Sequence, residues 1–254
     1  MGLIGHTVIV TGAGTGIGRA IALRLLDSGA NVVLVGRRET TLTEVVDKAA
    51  ADSPNGPATL VAVADVGDAG AVDRVVAGAL ARFGGIDGLV NNAGVARFGP
   101  LADTRPEDLD AMLDAHLRGP VQLIRACLPT LRERWGCVVN VSSVGGTLAM
   151  PNRSLYGATK AALNSLTRSL ARELAPQVRV NAVLPGPVET PIYDDLGLNP
   201  QETRVLRDAL LEATPMGRFG RPGEVAAWVC ALLDPDVSGW VTGTLLPVDG
   251  GRTA

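Results

Sequence analysis

Short runs of β-branched residues alternate along this chain with longer segments of helical periodicity. In one such segment Ile17, Ile21 and Leu25 recur at helical spacing. The same spacing relates Leu163, Leu166, Leu170 and Leu174. This alternation predicts βαβ units and therefore an α/β fold. Because their crossovers are right-handed, we expect a doubly wound parallel sheet with helices on both faces.

Seven runs are predicted as strands, and most are continuous apolar stretches, as expected for strands covered on both faces. They are His6–Val10, Asn31–Val35, Ala58–Val63, Gly88–Val90, Gly136–Val141, Val178–Val183 and Thr244–Val248. The chain has 254 residues, of which 46% are hydrophobic, so it can bury a large core. No linker, repeat or low-complexity tract divides it, and we predict one dinucleotide-binding and catalytic domain over residues 1–254.

Charge and cysteine content favour a small-molecule partner over nucleic acid or a membrane. The net charge is −3 and the arginines are scattered, so the sequence shows no cluster of basic residues that would bind nucleic acid or anionic lipid. Its three cysteines, Cys127, Cys137 and Cys230, lack metal-ligand spacing and lie in apolar contexts suited to reduced thiols. The N-terminus does not resemble a signal peptide and no apolar run reaches membrane-spanning length. We expect a cytoplasmic protein without a metal site.

A glycine-rich loop, Thr11–Gly18, follows the first predicted strand. Gly12, Gly16 and Gly18 fit the spacing G-x-x-x-G-x-G, whereas no register gives G-x-G-x-x-G. Such glycines let the backbone approach a pyrophosphate, whose charge is met by amide N–H groups at a helix N-terminus. The loop therefore favours a dinucleotide site, and an ordinary tight strand-to-helix turn is the alternative.

Two arginines follow the second predicted strand. Enzymes that bind NAD usually place an acid at this point to hold the ribose 2′-hydroxyl, whereas an arginine suits the 2′-phosphate of NADP. Here Gly36 is followed by Arg37 and Arg38, and Glu39 reads more simply as the first-turn acid of the next helix. We expect NADP(H) as the preferred cofactor and keep NAD(H) as the alternative, in which case the arginines form a solvated loop.

Tyr156 and Lys160 lie one helical turn apart at the start of a strongly helical segment, so their side chains share a face. A nearby ammonium favours phenolate over phenol. It would bring the pKa of Tyr156 closer to what a general acid or base needs near neutral pH. A chance Y-x-x-x-K pattern on a helix surface is the alternative.

Ser143 follows the strand predicted to end at Val141. A hydroxyl at the carboxyl end of a parallel strand lies where open α/β sheets bind ligands, and it could donate a hydrogen bond to a carbonyl oxygen. Ser142 is the competing candidate. Because adjacent strand residues face opposite ways, we expect Ser142 to cap the turn instead.

Taken together, these motifs resemble those of the classical short-chain dehydrogenase/reductase family from end to end of the chain. The similar segments are Thr11–Gly18 (the cofactor loop), Asp65–Val66 (the adenine-flanking pair), Asn91–Gly94 (the NNAG strand end), the catalytic Ser143, Tyr156 and Lys160, Pro185–Thr190 (the segment that holds the nicotinamide carboxamide) and Val248–Gly251 (the last strand). The resemblance implies a Rossmann-type sheet of seven strands in the order 3-2-1-4-5-6-7.

The resemblance also assigns roles to residues. Tyr156 would exchange a proton with the carbonyl or alcohol oxygen, Ser143 would orient that oxygen, and Lys160 would hold the nicotinamide ribose and lower the pKa of Tyr156. The implied cofactor-binding residues are Gly12, Thr15, Gly16, Ile17, Gly18, Arg37, Arg38, Asp65, Val66, Asn92, Ala93, Gly94, Tyr156, Lys160, Pro185, Gly186, Val188 and Thr190.

One position departs from the family pattern. His116 stands where the family usually carries an asparagine that supports a proton-conducting water. An imidazole can donate and accept hydrogen bonds, so His116 is a candidate for the same relay or for substrate contact. The alternative is that His116 is a helix histidine with no part in catalysis.

The substrate pocket is expected between residues 94–99, residues 144–153 and a lid segment at about 186–215, for which a plain surface excursion is the other interpretation. These segments contribute the apolar Phe98, Leu148, Met150, Ile192, Tyr193 and Leu196, and the charged Arg97, Arg153, Asp194 and Asp195. A mainly apolar wall suggests a neutral, medium-sized ketone or secondary alcohol.

Three functions remain open from the sequence: an NADP(H)-dependent ketoreductase, an NAD-dependent alcohol dehydrogenase, and a dinucleotide-binding sensor without turnover. The triad Ser143, Tyr156 and Lys160 is complete, which disfavours the sensor. The family resemblance also implies a homo-oligomer, a tetramer or dimer, built partly through the helices around residues 105–134 and 155–174.

Overall fold

Seven parallel strands form one central sheet in the order β3-β2-β1-β4-β5-β6-β7, which confirms the predicted topology. The structure is a computed structural model and describes residues 2–53 and 56–254. The strands are β1 (Thr7–Thr11), β2 (Asn31–Gly36), β3 (Thr59–Val63), β4 (Gly88–Asn91), β5 (Cys137–Val141), β6 (Arg179–Pro185) and β7 (Leu245–Val248). Each of the seven predicted runs overlaps one of these strands, and the ends differ by at most two residues.

Nine α-helices lie among the described residues. They are α1 (Gly16–Asp27), α2 (Glu39–Asp52), α3 (Ala69–Phe83), α4 (Pro106–Leu113), α5 (Gly119–Glu133), α6 (Ser154–Leu174), α7 (Pro200–Glu212), α8 (Pro222–Leu233) and α9 (Pro235–Ser238). None of the described helices is both long and apolar enough to cross a membrane.

The sheet has a buried core on each face because successive strand residues point to opposite sides. Val8 and Val10 pack against α1, α2 and α8 on one face. Ile9 between them packs against α3, α5 and the C-terminal part of α6 on the other. Strands buried on both faces therefore leave their carboxyl ends as the accessible part of the sheet.

A π-helical turn, Asp114–Arg118, joins α4 to α5 without a break in the helical backbone. The wider turn places His116 inward, with only 1% of its surface exposed. Single π-helical turns of this kind occur frequently at functional sites.

Candidate active site

The carboxyl ends of the strands open into one crevice of about 1070 Å³. Of the residues predicted to act in catalysis or to bind the cofactor, all but Gly18 line it. Gly18 lies beneath the loop, where a Cβ would come within 2.1 Å of the Gly12 carbonyl oxygen. Crevices at this edge of an open parallel sheet are the usual ligand sites of such folds.

The glycine loop and the start of α1 form a cradle suited to a pyrophosphate. Gly12 and Gly16 have φ values of +63° and +53°, a backbone conformation that side chains disfavour. Thr15 precedes α1 but makes no side-chain cap to it, and the first turn carries no acidic residue. The amide N–H groups of this turn are therefore available to an anion, and the residues present fit a dinucleotide.

Thr11 and Asn92 tie the glycine loop to the end of β4. The Oγ1 atom of Thr11 donates to the Val90 carbonyl (3.2 Å) and accepts from the amides of Asn92 and Ala93 (both 2.9 Å). In return, the Nδ2 atom of Asn92 donates to the Thr11 carbonyl at 2.9 Å. Asn92, predicted as a cofactor ligand, thus also holds two walls of the crevice in register.

Arg37 and Arg38 follow the end of β2 at Gly36, and both line the crevice with exposed side chains. Glu39 begins α2 and is the acid of its first turn, as the sequence predicted. It is not part of the crevice lining. This corner therefore presents two cations and no carboxylate from the β2 end.

Tyr156 lies near the start of α6 and lines the crevice together with Ser143, which follows the end of β5. The rings of Phe98 and His116 meet it edge-on, with centroid distances of 5.5 and 5.6 Å. Burial raises the pKa of Tyr156, while the Ser143 hydrogen bond and the Arg153 charge lower it. The phenol is therefore protonated at neutral pH in this structure.

The turn after β5 is capped by Ser143 and not by Ser142. The prediction that Ser142 caps the turn is wrong, because its Oγ donates to the Lys160 carbonyl at 3.3 Å. Ser143 caps the short 3-10 turn after β5, where its Oγ accepts from the Gly145 amide at 3.0 Å. Because that bond uses the oxygen as acceptor, the Ser143 proton stays free to be donated into the crevice.

Lys160 is buried, and its Nζ atom donates to the Val141 carbonyl at 3.0 Å. The Nζ atom lies 6.0 Å from the centre of the Tyr156 ring. Burial lowers the pKa of Lys160 to about 8. The expected lowering of the Tyr156 pKa by this ammonium is therefore wrong for this structure, in which burial dominates both groups and raises the Tyr156 value.

Both ring nitrogens of His116 have protein partners. Nε2 accepts from the Val95 amide at 3.3 Å, so it carries no proton, and Nδ1 lies 2.9 Å from the Oγ1 atom of Thr159. Burial, followed by the Lys160 charge, lowers the pKa of His116 well below its ordinary value. A neutral ring with both nitrogens engaged links α6 to the loop after β4, and neither nitrogen is left to bind a relay water or substrate.

The wall of the crevice near Tyr156 is largely the predicted one. It contains Phe98, Met150, Arg153, Ile192, Tyr193, Asp194, Asp195 and Leu196. Leu148 and Arg97 were wrongly included. Leu148 packs on the small core of Val144, Ala182 and Leu184, and Arg97 turns to form ion pairs with Asp108 and Asp195.

Sequence reasoning missed several residues that shape the site. Arg252 lines the crevice although it comes after the last strand. A buried chain of hydrogen bonds joins Asn91 to Asn140 (2.9 Å) and Asn140 to Thr167 (2.9 Å), which locks β4, β5 and α6 beneath the catalytic groups. The polar residues inside otherwise apolar strands were the available signal for this chain.

The segment after β6 covers one side of the crevice and is held there by contacts of α7. Pro191–Asp195 forms a 3-10 turn, and Asn199 and Glu202 make a reciprocal capping box at the start of α7. The Nη2 atom of Arg207 in α7 donates to both carboxylate oxygens of Glu189 (2.7 and 2.8 Å). Its guanidinium also lies 5.1 Å from the Tyr193 ring centre and 4.5 Å from that of Phe219.

Comparisons with known proteins agree with this site. A family model described as enoyl-(acyl carrier protein) reductase matches residues 12–253. A 3-oxoacyl-[acyl-carrier-protein] reductase FabG of Thermotoga maritima is 37% identical over 99% of both chains. The levodione reductase of Leifsonia aquatica is 36% identical over 98% of this chain and 94% of its own.

Solved structures give the same result. A crystal structure of levodione reductase superimposes with a TM-score of 0.92, at 34% identity over 98% of each chain. A 3-ketoacyl-(acyl-carrier-protein) reductase from Brucella melitensis, complexed with NADH, gives 0.89 at 33% identity over 99% of this chain and 100% of its own.

Fold, site and comparisons define an oxidoreductase that uses a nicotinamide dinucleotide and acts on carbonyl or alcohol groups. The chain belongs to the classical short-chain dehydrogenase/reductase family.

Proposed function

We propose that this protein is an NADP(H)-dependent ketoreductase that reduces a carbonyl group, with residues 1–254 acting as one catalytic domain. The observation that carries the proposal is that Tyr156, Ser143 and Lys160 line the same crevice as the glycine loop. Relatives named as 3-oxoacyl-[acyl-carrier-protein] reductase and levodione reductase support the reductive direction.

In the proposed mechanism the cofactor, when bound, supplies the hydride. Tyr156 donates its phenolic proton to the carbonyl oxygen as negative charge develops there, and it takes a proton from the alcohol in the reverse direction. Ser143 donates a hydrogen bond to the same oxygen and orients it. Lys160, held by the Val141 carbonyl, would bind the hydroxyls of the nicotinamide ribose.

The preference for NADP(H) rests on Arg37 and Arg38 at the corner where no acid from β2 faces the crevice. Guanidinium groups bind phosphate through paired hydrogen bonds, whereas a ribose hydroxyl gains little from them. The first turn of α1 would hold the pyrophosphate, and Pro185–Thr190 would hold the nicotinamide end. NAD(H) is the second candidate, because the similar Brucella melitensis enzyme was solved with NADH.

His116 is proposed as a positioning residue, since its ring touches Tyr156 and supports Thr159 but has no free nitrogen. Residues 186–215 are proposed as a lid, because α7 is tied to the rest of the wall mainly through Arg207. A closed lid would exclude water during transfer.

A homo-oligomer, tetramer or dimer, and a cytoplasmic location are also proposed. Trp228, Val237 and Trp240 of α8, α9 and the following turn are exposed, and such patches on folded chains often mark interfaces. Light scattering during size-exclusion chromatography tests the assembly. The free thiols of Cys127, Cys137 and Cys230 are buried, with pKa values raised to about 12, 11 and 12, which suits a reducing compartment.

A panel of ketones and secondary alcohols, followed through the absorbance of NADPH and NADH, tests the proposal. At least one ketone should be reduced, and Tyr156→Phe should lower kcat by about a hundredfold or more. Tyr193→Phe is the matched control, because Tyr193 is the other of the two tyrosines and lies in the same wall. Turnover that survives in Tyr156→Phe, or that falls equally in both variants, would rule out the proposed acid.

A further inference from the structure

Two guanidinium groups line the crevice at the Tyr156 end, where the proposed reaction would occur. Arg153 and Arg252 both contribute to the wall and both are partly buried. They come from opposite ends of the second half of the chain, one before α6 and the other after β7. Contacts with neighbouring residues hold both side chains in the wall of the crevice.

Arg153 is positioned through Tyr156 itself. It directly precedes α6, its carbonyl accepts a hydrogen bond from the Gly157 amide at 2.9 Å, and its charge lowers the pKa of Tyr156. Its guanidinium carbon lies 5.7 Å from the centre of the Phe98 ring, the same ring that meets Tyr156 edge-on at 5.5 Å. One aromatic ring thus separates this cation from the catalytic phenol.

Arg252 is positioned by a turn built around Asp249. The carboxylate of Asp249 accepts from the Gly251 amide (2.9 Å) and from the Thr253 amide and hydroxyl (2.9 and 2.6 Å). Gly250 and Gly251 have φ values of +66° and +87°, which other residues rarely adopt. The turn directs Arg252 beneath α7, where its Nη1 atom lies 3.4 Å from the Leu210 carbonyl oxygen.

Neither guanidinium has a carboxylate within ion-pairing distance among the described residues. The nearby acids serve other cations: Glu189 pairs with Arg207, and Asp195 pairs with Arg97. Asp194 also lines the wall, but it is exposed and interacts with the charge of Arg207.

The two cations also disfavour each other. Burial lowers the pKa of Arg153, and the charge of Arg252 lowers it further. Partly buried like charges without a counter-ion destabilise the cavity unless an anion joins them. The phosphate groups of a dinucleotide are already provided for elsewhere, at the first turn of α1 and at Arg37 and Arg38.

We propose that Arg153 and Arg252 form an anion subsite and that the carbonyl substrate of this protein carries a carboxylate. This inference rests on the proposed ketoreductase function and replaces the neutral ketone expected from the apolar wall. The apolar side chains Phe98, Met150 and Ile192 then hold the carbon chain, while the guanidinium groups hold the carboxylate and orient the carbonyl toward Tyr156.

Binding of simple carboxylates tests the subsite without turnover. Butanoate, hexanoate and octanoate, each beside its neutral amide, are titrated calorimetrically into the protein saturated with NADP⁺. At least one carboxylate should bind about tenfold more tightly than its amide, a difference of about 1.4 kcal/mol, because its hydrogen bonds to the guanidinium groups are charge-assisted. Equal affinity of every acid and amide pair would overturn the proposal.

Variants locate the effect. Arg153→Gln and Arg252→Gln should each weaken the preferred carboxylate about tenfold and leave its amide unchanged, and Arg153→Lys should restore part of the difference. Arg168→Gln is the control, because Arg168 is exposed on the same helix α6 and does not line the crevice. Circular dichroism verifies that each variant is folded. Carboxylate affinity that both glutamine variants retain would also overturn the proposal.

Failure of this subsite is distinguishable from failure of the proposed function. If no ketone in the panel is reduced but carboxylates still bind through the two arginines, the ketoreductase assignment fails and the subsite stands. If ketones are reduced and keto acids are used no better than their methyl esters, the subsite fails and the ketoreductase stands.

Discussion

The Nδ1 atom of His116 lies 2.9 Å from the Oγ1 atom of Thr159, the residue directly before Lys160. The Oγ1 atom of Thr159 in turn donates a hydrogen bond to the Tyr156 carbonyl at 2.9 Å. Because Nε2 accepts from the Val95 amide, Nδ1 carries the proton and donates it to Thr159. One neutral imidazole thus supports the helical turn that presents the catalytic pair.

The buried state of His116 predicts a loss of stability in mild acid. Its pKa in the folded protein is well below the ordinary 6.5, so below pH 6.5 the unfolded chain binds a proton that the folded chain does not. The free energy of unfolding should therefore fall as the pH drops from 6.5 toward 5, by at most about 1.4 kcal/mol per unit. Urea unfolding measured across this range tests the slope.

Substitution assigns that slope to the residue. His116→Gln should reduce it, whereas His6→Gln, which alters the other of the two histidines, should leave it in place. A slope that persists unchanged in His116→Gln would show that another group is responsible.

The contrast between Ser143 and Ser142 predicts different effects of one substitution. Ser143→Ala removes a donor to the substrate oxygen and should lower kcat by about a hundredfold. It also removes the hydrogen bond that lowers the Tyr156 pKa, so the pH profile for alcohol oxidation, which needs the phenolate, should move to higher pH. Ser142→Ala loses only the bond to the Lys160 carbonyl and should cost about 1 kcal/mol of stability with little change in kcat.

Arg37 should discriminate between the two cofactors. Arg37→Ala is expected to raise KM for NADPH about tenfold or more while changing KM for NADH little, because only NADPH has a phosphate for the guanidinium to bind. Steady-state kinetics with both cofactors measure the ratio. Glu39→Gln should change neither value, since Glu39 is outside the crevice lining. Equal effects of Arg37→Ala on both cofactors would remove the argument for NADP.

Gly18 and Gly78 should respond oppositely to alanine. At Gly18 a Cβ would lie 2.1 Å from the Gly12 carbonyl oxygen, so the cofactor loop must shift, with an expected loss of about 1–3 kcal/mol and weaker dinucleotide binding. At Gly78, inside α3, the nearest atom lies at an ordinary 3.7 Å. Gly78→Ala should therefore stabilise the protein by up to about 1 kcal/mol through helix propensity. Thermal unfolding with and without NADPH measures both effects.

Arg207 is expected to hold the proposed lid closed. Arg207→Lys keeps the charge but loses the planar guanidinium that lies over the Tyr193 and Phe219 rings. Thermolysin should then cut within residues 191–212 several times faster than in the parent protein. Arg204→Lys, an exposed position of the same helix, is the control and should not change the rate. Equal cleavage rates in the parent protein and both variants would show that Arg207 does not hold the lid closed.

Much of the active site could be predicted without coordinates because it depends on local rules. The position of Tyr156 relative to Lys160 follows from the pitch of one helix, and the glycine loop follows from a strand that runs directly into a helix. The doubly wound parallel sheet follows from the handedness of crossovers, while the strand order was implied by the family resemblance. These features were readable because each involves residues close in the chain or a rule that holds for parallel sheets in general.

Features that depend on distant contacts could not be read from the chain. The sequence left both Ser142 and Ser143 as candidates for the substrate contact. Only the hydrogen bonds of the turn after β5 distinguish the two side chains. Lys160 was expected to lower the Tyr156 pKa, but desolvation, which depends on everything packed around the phenol, raises that pKa. Arg252 joins Arg153 only because the turn after β7 folds back under α7. Burial and charge pairing are sums over neighbours from the whole chain, and those neighbours meet only in the folded protein.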